Sequence, residues 1–187
     1  ENGIKFTLEG DKYKIDLNGQ HNCINGAMAV VIAKKFNLTC NEIQKGFDKL
    51  SLTPMRFQKI VRDKTIYIND AYNASPISMR YSLEAFDKLY NDRVKLVVLG
   101  DMLELGENEI QYHKDVLEKA LSIRADKIYI YGERMKEAYN ILGRDERIEY
   151  YSEKSQIREA IKEEFPKIKA VLLKGSRGMK MEEIIEG

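Results

Sequence analysis

Cysteine is scarce: Cys23 and Cys40 are the only two among 187 residues, too few for a disulfide framework. Each sits in or beside an apolar helical pattern, which reads as buried free thiols in a reducing compartment. Histidine occurs only as His21 and His113. No Cys/His set has zinc-site spacing, neither histidine lies near a nucleophile elbow, and no metal ligand set is expected in the chain. Apolar runs stay well short of the roughly 20 residues a membrane-spanning helix needs. An excess of one charge is missing too, since 31 Lys and Arg balance 30 Asp and Glu; nucleic-acid and membrane-surface proteins usually carry a basic surplus. With only 12 glycines and 3 prolines, the chain is not a disordered or low-complexity one. The opening Glu1-Asn2-Gly3-Ile4-Lys5 is neither a start-codon product nor a signal peptide, so a piece of a longer protein is expected.

What is present changes its pattern part-way along. Ile4 to Leu8 and Tyr13 to Leu17 alternate apolar and polar residues around Glu9-Gly10-Asp11, the pattern of a hairpin. Apolar spacing predicts a helix from Asn22 to Phe36, and a second beginning at Asn41 as N-cap and running towards Leu50. Ser51-Leu52-Thr53-Pro54 interrupts the helical pattern and sets a boundary between residues 1–52 and 53–187. Beyond it, short β-branched runs alternate with amphipathic helices. The strands are Phe57–Val61, Thr65–Ile68, Val94–Leu99, Lys127–Tyr131, Ile148–Tyr151 and Ala170–Leu173. The helices are Pro76–Tyr90, Ile110–Ile123, Glu133–Leu142, Ser155–Phe165 and Met179–Ile185. This order predicts an α/β, Rossmann-like, mostly parallel sheet with helices on both faces, preceded by a small α+β segment. Only Arg62-Asp63-Lys64 separates the first two strands, so that pair should be antiparallel.

Ligands of such sheets lie beyond the carboxyl ends of the parallel strands, and several of those ends carry polar clusters here. Asn69-Asp70-Ala71-Tyr72-Asn73-Ala74-Ser75-Pro76 follows the second strand. Ser75 with Pro76 is a helix start, whereas Asp70 is either a ribose-binding carboxylate or the anchor of an Asx-turn. Gly100-Asp101-Met102-Leu103-Glu104-Leu105-Gly106 follows the third; Gly100 admits close approach of a ligand, and Asp101 suits an ammonium or a ribose. Glu104, Glu107 and Glu109 read as a solvated face. Lys174-Gly175-Ser176-Arg177-Gly178 follows the last strand, a carboxylate or phosphate site or else a simple turn. Upstream, His21, Asn22 and Asn25 fall on one helix face. Their carboxamides suit the edge of adenine, or Asn22 caps the helix and Asn25 is merely exposed.

In their order, these segments resemble the Mur ligase family. The resemblance rests on Gly19-x-His21-Asn22-x-x-Asn25-x-Ala27, Asp70-x-Tyr72-Asn73-Ala74-x-Pro76, Gly100-Asp101-Met102-Leu103-Glu104-Leu105-Gly106 with His113, and Lys174-Gly175-Ser176-Arg177. It spans residues 19 to 181. It implies a three-domain cytoplasmic ligase using ATP and Mg2+ to join an amine to a UDP-muramoyl peptide through an acyl phosphate. The Tyr72-Asn73 form implies the branch that adds D-Ala-D-Ala to a UDP-muramoyl tripeptide, because sibling and folate-type ligases usually carry a histidine-containing version.

By the same resemblance His21, Asn22 and Asn25 hold the adenine, Asp70 the ribose, and Arg56 the ATP phosphates on domain closure. Tyr72, Asn73, Asp101, Lys174, Ser176 and Arg177 lie where the incoming substrate is received. Met55 stands where the family usually has glycine, and Asn69 where an aspartate is common. No Gly-x-x-Gly-Lys-Thr phosphate loop occurs, nor any counterpart of the UDP-binding domain, the Mg2+ ligands or the modified lysine. The expectation is therefore the tail of the central ATP-binding domain, residues 1–52, followed by the C-terminal domain, residues 53–187, inactive on their own. Two alternatives stand beside it: a stand-alone Rossmann-like binding module without catalysis, and a folylpolyglutamate-synthase-like ligase.

Overall fold

The computed structural model describes residues 3–17, 20–50, 53–62, 64–164 and 170–186. The chain divides into two units, Glu1–Leu52 and Thr53–Gly187.

In the first unit the alternating segments pair as an antiparallel hairpin, β1 (Ile4–Leu8) with β2 (Asp11–Ile15). The tight register Leu8↔Asp11 places the second strand two residues earlier than its apolar pattern suggests. Helix α1 (Gln20–Lys35) and helix α2 (Cys40–Asp48) complete the unit around Tyr13, Ile15, Val30, Ile43 and Phe47. The α2 cap differs from expectation. Thr39, not Asn41, is the N-cap, because only Thr39 has Glu42 at the third helical position to close a capping box. Likewise α1 starts at Gln20, which puts Asn22 inside the first turn rather than at the cap. Cys23 and Cys40 are free and half-buried rather than fully enclosed.

The second unit holds a six-stranded sheet. Its strands are β3 (Gln58–Arg62), β4 (Thr65–Asn69), β5 (Lys95–Gly100), β6 (Lys127–Tyr131), β7 (Ile148–Tyr151) and β8 (Ala170–Lys174), in the order β3-β4-β8-β5-β6-β7. Only the β3–β4 pair is antiparallel. The last strand therefore lies mid-sheet, between β4 and β5.

Period-two alternation sorts the strand residues between two faces. Ile66, Ile68, Val97, Leu99, Ile128, Ile130, Ala170 and Leu172 pack under α3 (Pro76–Leu89), α4 (Glu109–Ser122) and α5 (Glu133–Leu142). Tyr67, Leu96, Val98, Tyr129, Val171 and Leu173 pack under α6 (Lys154–Glu164) and the short α7 (Glu183–Glu186). Phe165, the expected end of the helix from Ser155, lies outside the described residues; among those described, the expected helix that is broken is the last. Its Met179–Ile185 stretch is broken into a 3-10 turn, Arg177–Met179, and α7, with Lys180 in the left-handed region between them (φ 48°).

Leu172 is fully buried in the central strand while Val61 lies exposed on the edge strand. Leu172→Ala should lower the unfolding free energy by about 3 kcal/mol and Val61→Ala by less than about 0.5 kcal/mol. Urea titration followed by circular dichroism reads both, and equal losses would contradict the central placement of β8.

Candidate functional site

Strands β4, β5 and β8 run parallel, so Asp70, Asp101 and the Lys174–Arg177 loop emerge at one edge. Backbone bonds tie them there: Asp70 N–H donates to the Leu173 carbonyl at 2.9 Å, and Ser176 N–H to the Asp101 carbonyl at 2.9 Å.

Lys174 lies at the centre of this edge, its side chain only 3% exposed and its Nζ 2.8 Å from Asp70 Oδ2. The ammonium also donates to the carbonyls of Asp70 (3.2 Å) and Asn73 (2.9 Å). Burial pushes its pKa down, the Asp70 carboxylate opposes that shift, and the nearby Arg56 charge adds to it. Asp70 Oδ2 further accepts the Ser82 hydroxyl, and Oδ1 accepts Phe57 N–H at 2.9 Å. The carboxylate thus joins β4, β8, α3 and the segment before β3. The Asx-turn considered for Asp70 belongs to its neighbour, since Asn69 Oδ1 accepts Ala71 N–H at 3.2 Å.

Arg56 sits on an unusual turn. Both residues flanking it, Met55 (φ 62°) and Phe57 (φ 52°), are non-glycine residues in the left-handed region, a conformation disfavoured by Cβ–carbonyl crowding. Compensating bonds surround the turn. Met55 N–H donates to Gln58 Oε1 at 3.0 Å, Tyr72 N–H donates to the Met55 carbonyl at 3.0 Å, and Phe57 N–H has the Asp70 bond. The exposed guanidinium rests over the Tyr72 ring, 4.2 Å from its centroid, a cation–π contact.

Asp101 has a different task. Its Oδ1 accepts Met135 N–H (2.9 Å) and its Oδ2 accepts Arg134 N–H (3.2 Å), with Arg134 Nη1 3.8 Å away. It therefore caps the amino end of α5 from another strand. Gly132 makes room, since a Cβ there would stand 2.4 Å from Asp101 Cγ, and its φ of 108° is a glycine conformation. The close approach expected at Gly100 is to Met181, whose Sδ would lie 2.6 Å from an added Cβ, rather than to a ligand.

Glu109, expected in a solvated face, pairs with Arg134 at 2.5 Å. Ser176 Oγ accepts Leu103 N–H at 2.9 Å. His113 is fully buried, with Nε2 accepting Met102 N–H at 2.8 Å and Nδ1 2.6 Å from the Glu109 carbonyl. That pairing calls for a neutral ring protonated at Nδ1.

Among the residues expected at the site, Arg56, Tyr72, Asn73 and Arg177 are exposed, whereas Asp101, Lys174 and Ser176 are buried framework. Arg177 pairs with Glu182 and reaches Met55 Sδ at 3.0 Å. Asn22 and Asn25 belong to α1 of the first unit, Asn25 exposed and Asn22 half-buried. His21 is in the same helix, but its side chain lies outside the described residues. Among the described residues no group of three or more His, Cys, Asp or Glu comes together to hold a metal ion.

A family model described as "Mur ligase, glutamate ligase domain" matches residues 55–177. The chain belongs to the Mur ligase family. A curated relative, UDP-N-acetylmuramoyl-tripeptide–D-alanyl-D-alanine ligase of Bacillus subtilis, is 35% identical over 100% of the chain and 42% of its own length. The chain thus spans less than half of that relative. Among solved structures it is similar to MurF from Acinetobacter baumannii (TM-score 0.83, 24% identity, covering 98% of this chain and 41% of that one). It is also similar to MurF ligase from Thermotoga maritima in complex with ADP (TM-score 0.79, 23% identity, 98% and 42% covered). A folylpolyglutamate synthase from Thermotoga maritima aligns less closely, at TM-score 0.62 and 16% identity over 95% of this chain and 41% of that one.

Within the Mur ligase pattern, the departure at Met55 has a physical reading. The backbone there is left-handed (φ 62°), which glycine adopts without strain; methionine keeps the conformation because its N–H and carbonyl are both held. Sequence reasoning passes over Ser82 and Arg134 and finds little signal in the Gly132-Glu133 turn, because their roles arise only when separate elements meet. The signal available for Gly132 was its place directly after β6, at the same edge.

His113 yields a pH prediction. Burial lowers its pKa below the ordinary 6.5. An unfolded chain therefore binds a proton below that value while the folded chain resists it, so stability is fully present above pH 6.5 and declines as pH falls. Urea midpoints at pH 7.5 and 5.5 should differ, and His113→Gln should shrink the difference. An unchanged pH dependence in the variant would show that His113 does not couple to folding.

Proposed function

We propose that the chain is the adenosine-closing and dipeptide-presenting part of an ATP-dependent, cytoplasmic ligase that adds D-Ala-D-Ala to a UDP-N-acetylmuramoyl tripeptide in peptidoglycan precursor synthesis. What supports this reading above all is the identity with the Bacillus subtilis ligase along the whole of the chain. The Tyr72-Asn73 form of the β4–α3 loop and the closer fold match to MurF than to folylpolyglutamate synthase favour this branch over the folate type.

A stand-alone module is disfavoured by α1. Beyond the residues it buries, the helix exposes Ile24, Met28, Val31 and Ile32, and a helix apolar on several sides is normally an interior one. We therefore assign residues 1–52 to the tail of a larger central domain and 53–187 to the C-terminal domain.

In the proposed reaction a carboxylate oxygen of the tripeptide takes the γ-phosphoryl group of ATP, releasing ADP. The dipeptide amine then attacks the acyl carbon, and inorganic phosphate and a proton depart as the amide forms. His21, Asn22 and Asn25 are assigned to adenine and Asp70 to ribose. Arg56, planar and bidentate, binds phosphate oxygens as charge shifts. Tyr72, Asn73 and Arg177 offer exposed groups to the dipeptide, and Asp101, Lys174 and Ser176 keep their loops in place for it. Mg2+, which neutralises phosphate charge when bound, is assigned ligands in the part of the longer relatives that this chain does not match. A domain that carries one substrate and closes over the other keeps water from the acyl phosphate.

In the full-length enzyme, Arg56→Lys should lower kcat at least about tenfold, because a lysine cannot make the bidentate contact. Steady-state phosphate release checks this, and an unchanged kcat would remove Arg56 from the reacting phosphates.

The chain by itself should bind ATP only at high-micromolar to millimolar Kd, about −4 to −5 kcal/mol, and should not hydrolyse it. Calorimetric titration with a phosphate assay decides that. Sub-micromolar affinity or turnover would mean a complete nucleotide site within these residues.

A further inference from the structure

We propose that Asp70 is a positioning residue for Arg56: its carboxylate, anchored by buried Lys174 and by Ser82, holds the left-handed turn that presents the guanidinium. This inference rests on the reading of Arg56 as the phosphate-binding arginine, and it gives Asp70 a task beyond any contact with ribose.

The observations converge on the backbone around one residue. Met55 and Phe57 stand on either side of Arg56 with φ of 62° and 52°, a pair of non-glycine residues in a region that persists only where surrounding structure enforces it. The enforcing contacts come from the loop after β4. Asp70 Oδ1 accepts Phe57 N–H at 2.9 Å on one side, and Tyr72 N–H donates to the Met55 carbonyl at 3.0 Å on the other. The Tyr72 ring then supports the guanidinium at 4.2 Å.

A carboxylate can grip an amide firmly only if it is itself immobile. Asp70 is 16% exposed, its second oxygen lying 2.8 Å from Lys174 Nζ and accepting the Ser82 hydroxyl. Lys174 is fixed in turn by the Asp70 and Asn73 carbonyls. The chain of contacts therefore runs from the centre of the sheet, through β8, to the arginine. Loss of the Asp70 carboxylate releases Phe57 N–H and removes the restraint on an unfavourable backbone conformation. Arg56 then samples many orientations, and a contact needed at the phosphates is made less often.

A double-mutant cycle in the full-length enzyme tests this, with kcat measured at saturating ATP so that weaker ribose binding alone, seen in KM, does not enter. Asp70→Ala should lower kcat at least tenfold where Arg56 is present and less than twofold on top of Arg56→Ala, because its effect passes through the arginine. Equal factors in both backgrounds would overturn the proposal while leaving the phosphate role intact. An Arg56→Ala enzyme with normal kcat would instead overturn the underlying reading. Should Asp70→Ala not fold, hydrogen exchange on the unsubstituted enzyme decides the matter. The Phe57 and Tyr72 amides should be protected at least a hundredfold over an open loop, and exchange at open-loop rates would show that the turn is not held and would overturn the proposal.

Discussion

A buried ammonium organises the carboxyl edge of this sheet. Lys174 ends β8, and its contacts with Asp70 and with the Asp70 and Asn73 carbonyls join that strand to the loop following β4. Desolvating an ammonium and a carboxylate is costly, and such a pair is tolerated only when the remaining donors and acceptors are satisfied. Here they are, by Ser82, Phe57 N–H and the two carbonyls. The pair is thus better regarded as a device of specificity than of stability, since it selects one arrangement of four chain segments. Removing either partner leaves the other buried and unmatched.

The second half of the edge follows the same logic with backbone donors. Asp101 caps α5, and Gly132 leaves the space for it. His113 joins α4 to Met102, and Ser176 receives Leu103. Polar residues at this edge therefore fall into two layers. An inner layer fixes the loops, and an outer layer of Arg56, Tyr72, Asn73 and Arg177 faces solvent. Residue types alone do not separate these layers, because an aspartate that caps a helix and one that binds a sugar look the same in a sequence.

Much of the fold was nevertheless legible. Strands β1, β6 and β7 coincide with their predicted bounds and the rest lie within two residues of theirs, because alternating or β-branched runs flanked by turn residues carry strong local information. Ser75-Pro76 opens α3 as read, with the capping serine visible in the sequence. Thr39 was missed in favour of Asn41 because both are capable caps and only Glu42 discriminates. The left-handed backbone at Met55 and Phe57 was not legible, since neither residue type signals it. Nor was the partner of Asp70, a lysine more than a hundred residues away, |i−j| = 104. Contacts that depend on topology become visible only once the strand order is known.

That order has a consequence for how the domain is made. With β8 between β4 and β5, the strands synthesised earlier cannot form a continuous sheet among themselves. During translation β4 and β5 must wait, each with an open hydrogen-bonding edge, until residues 170–174 have left the ribosome. The centre of the sheet can thus assemble only after its five other strands have been made, and contacts so distant in sequence close slowly. In that interval the apolar strands are exposed to premature pairing with other nascent chains, which makes this a domain whose yield depends on what protects it while it is being synthesised.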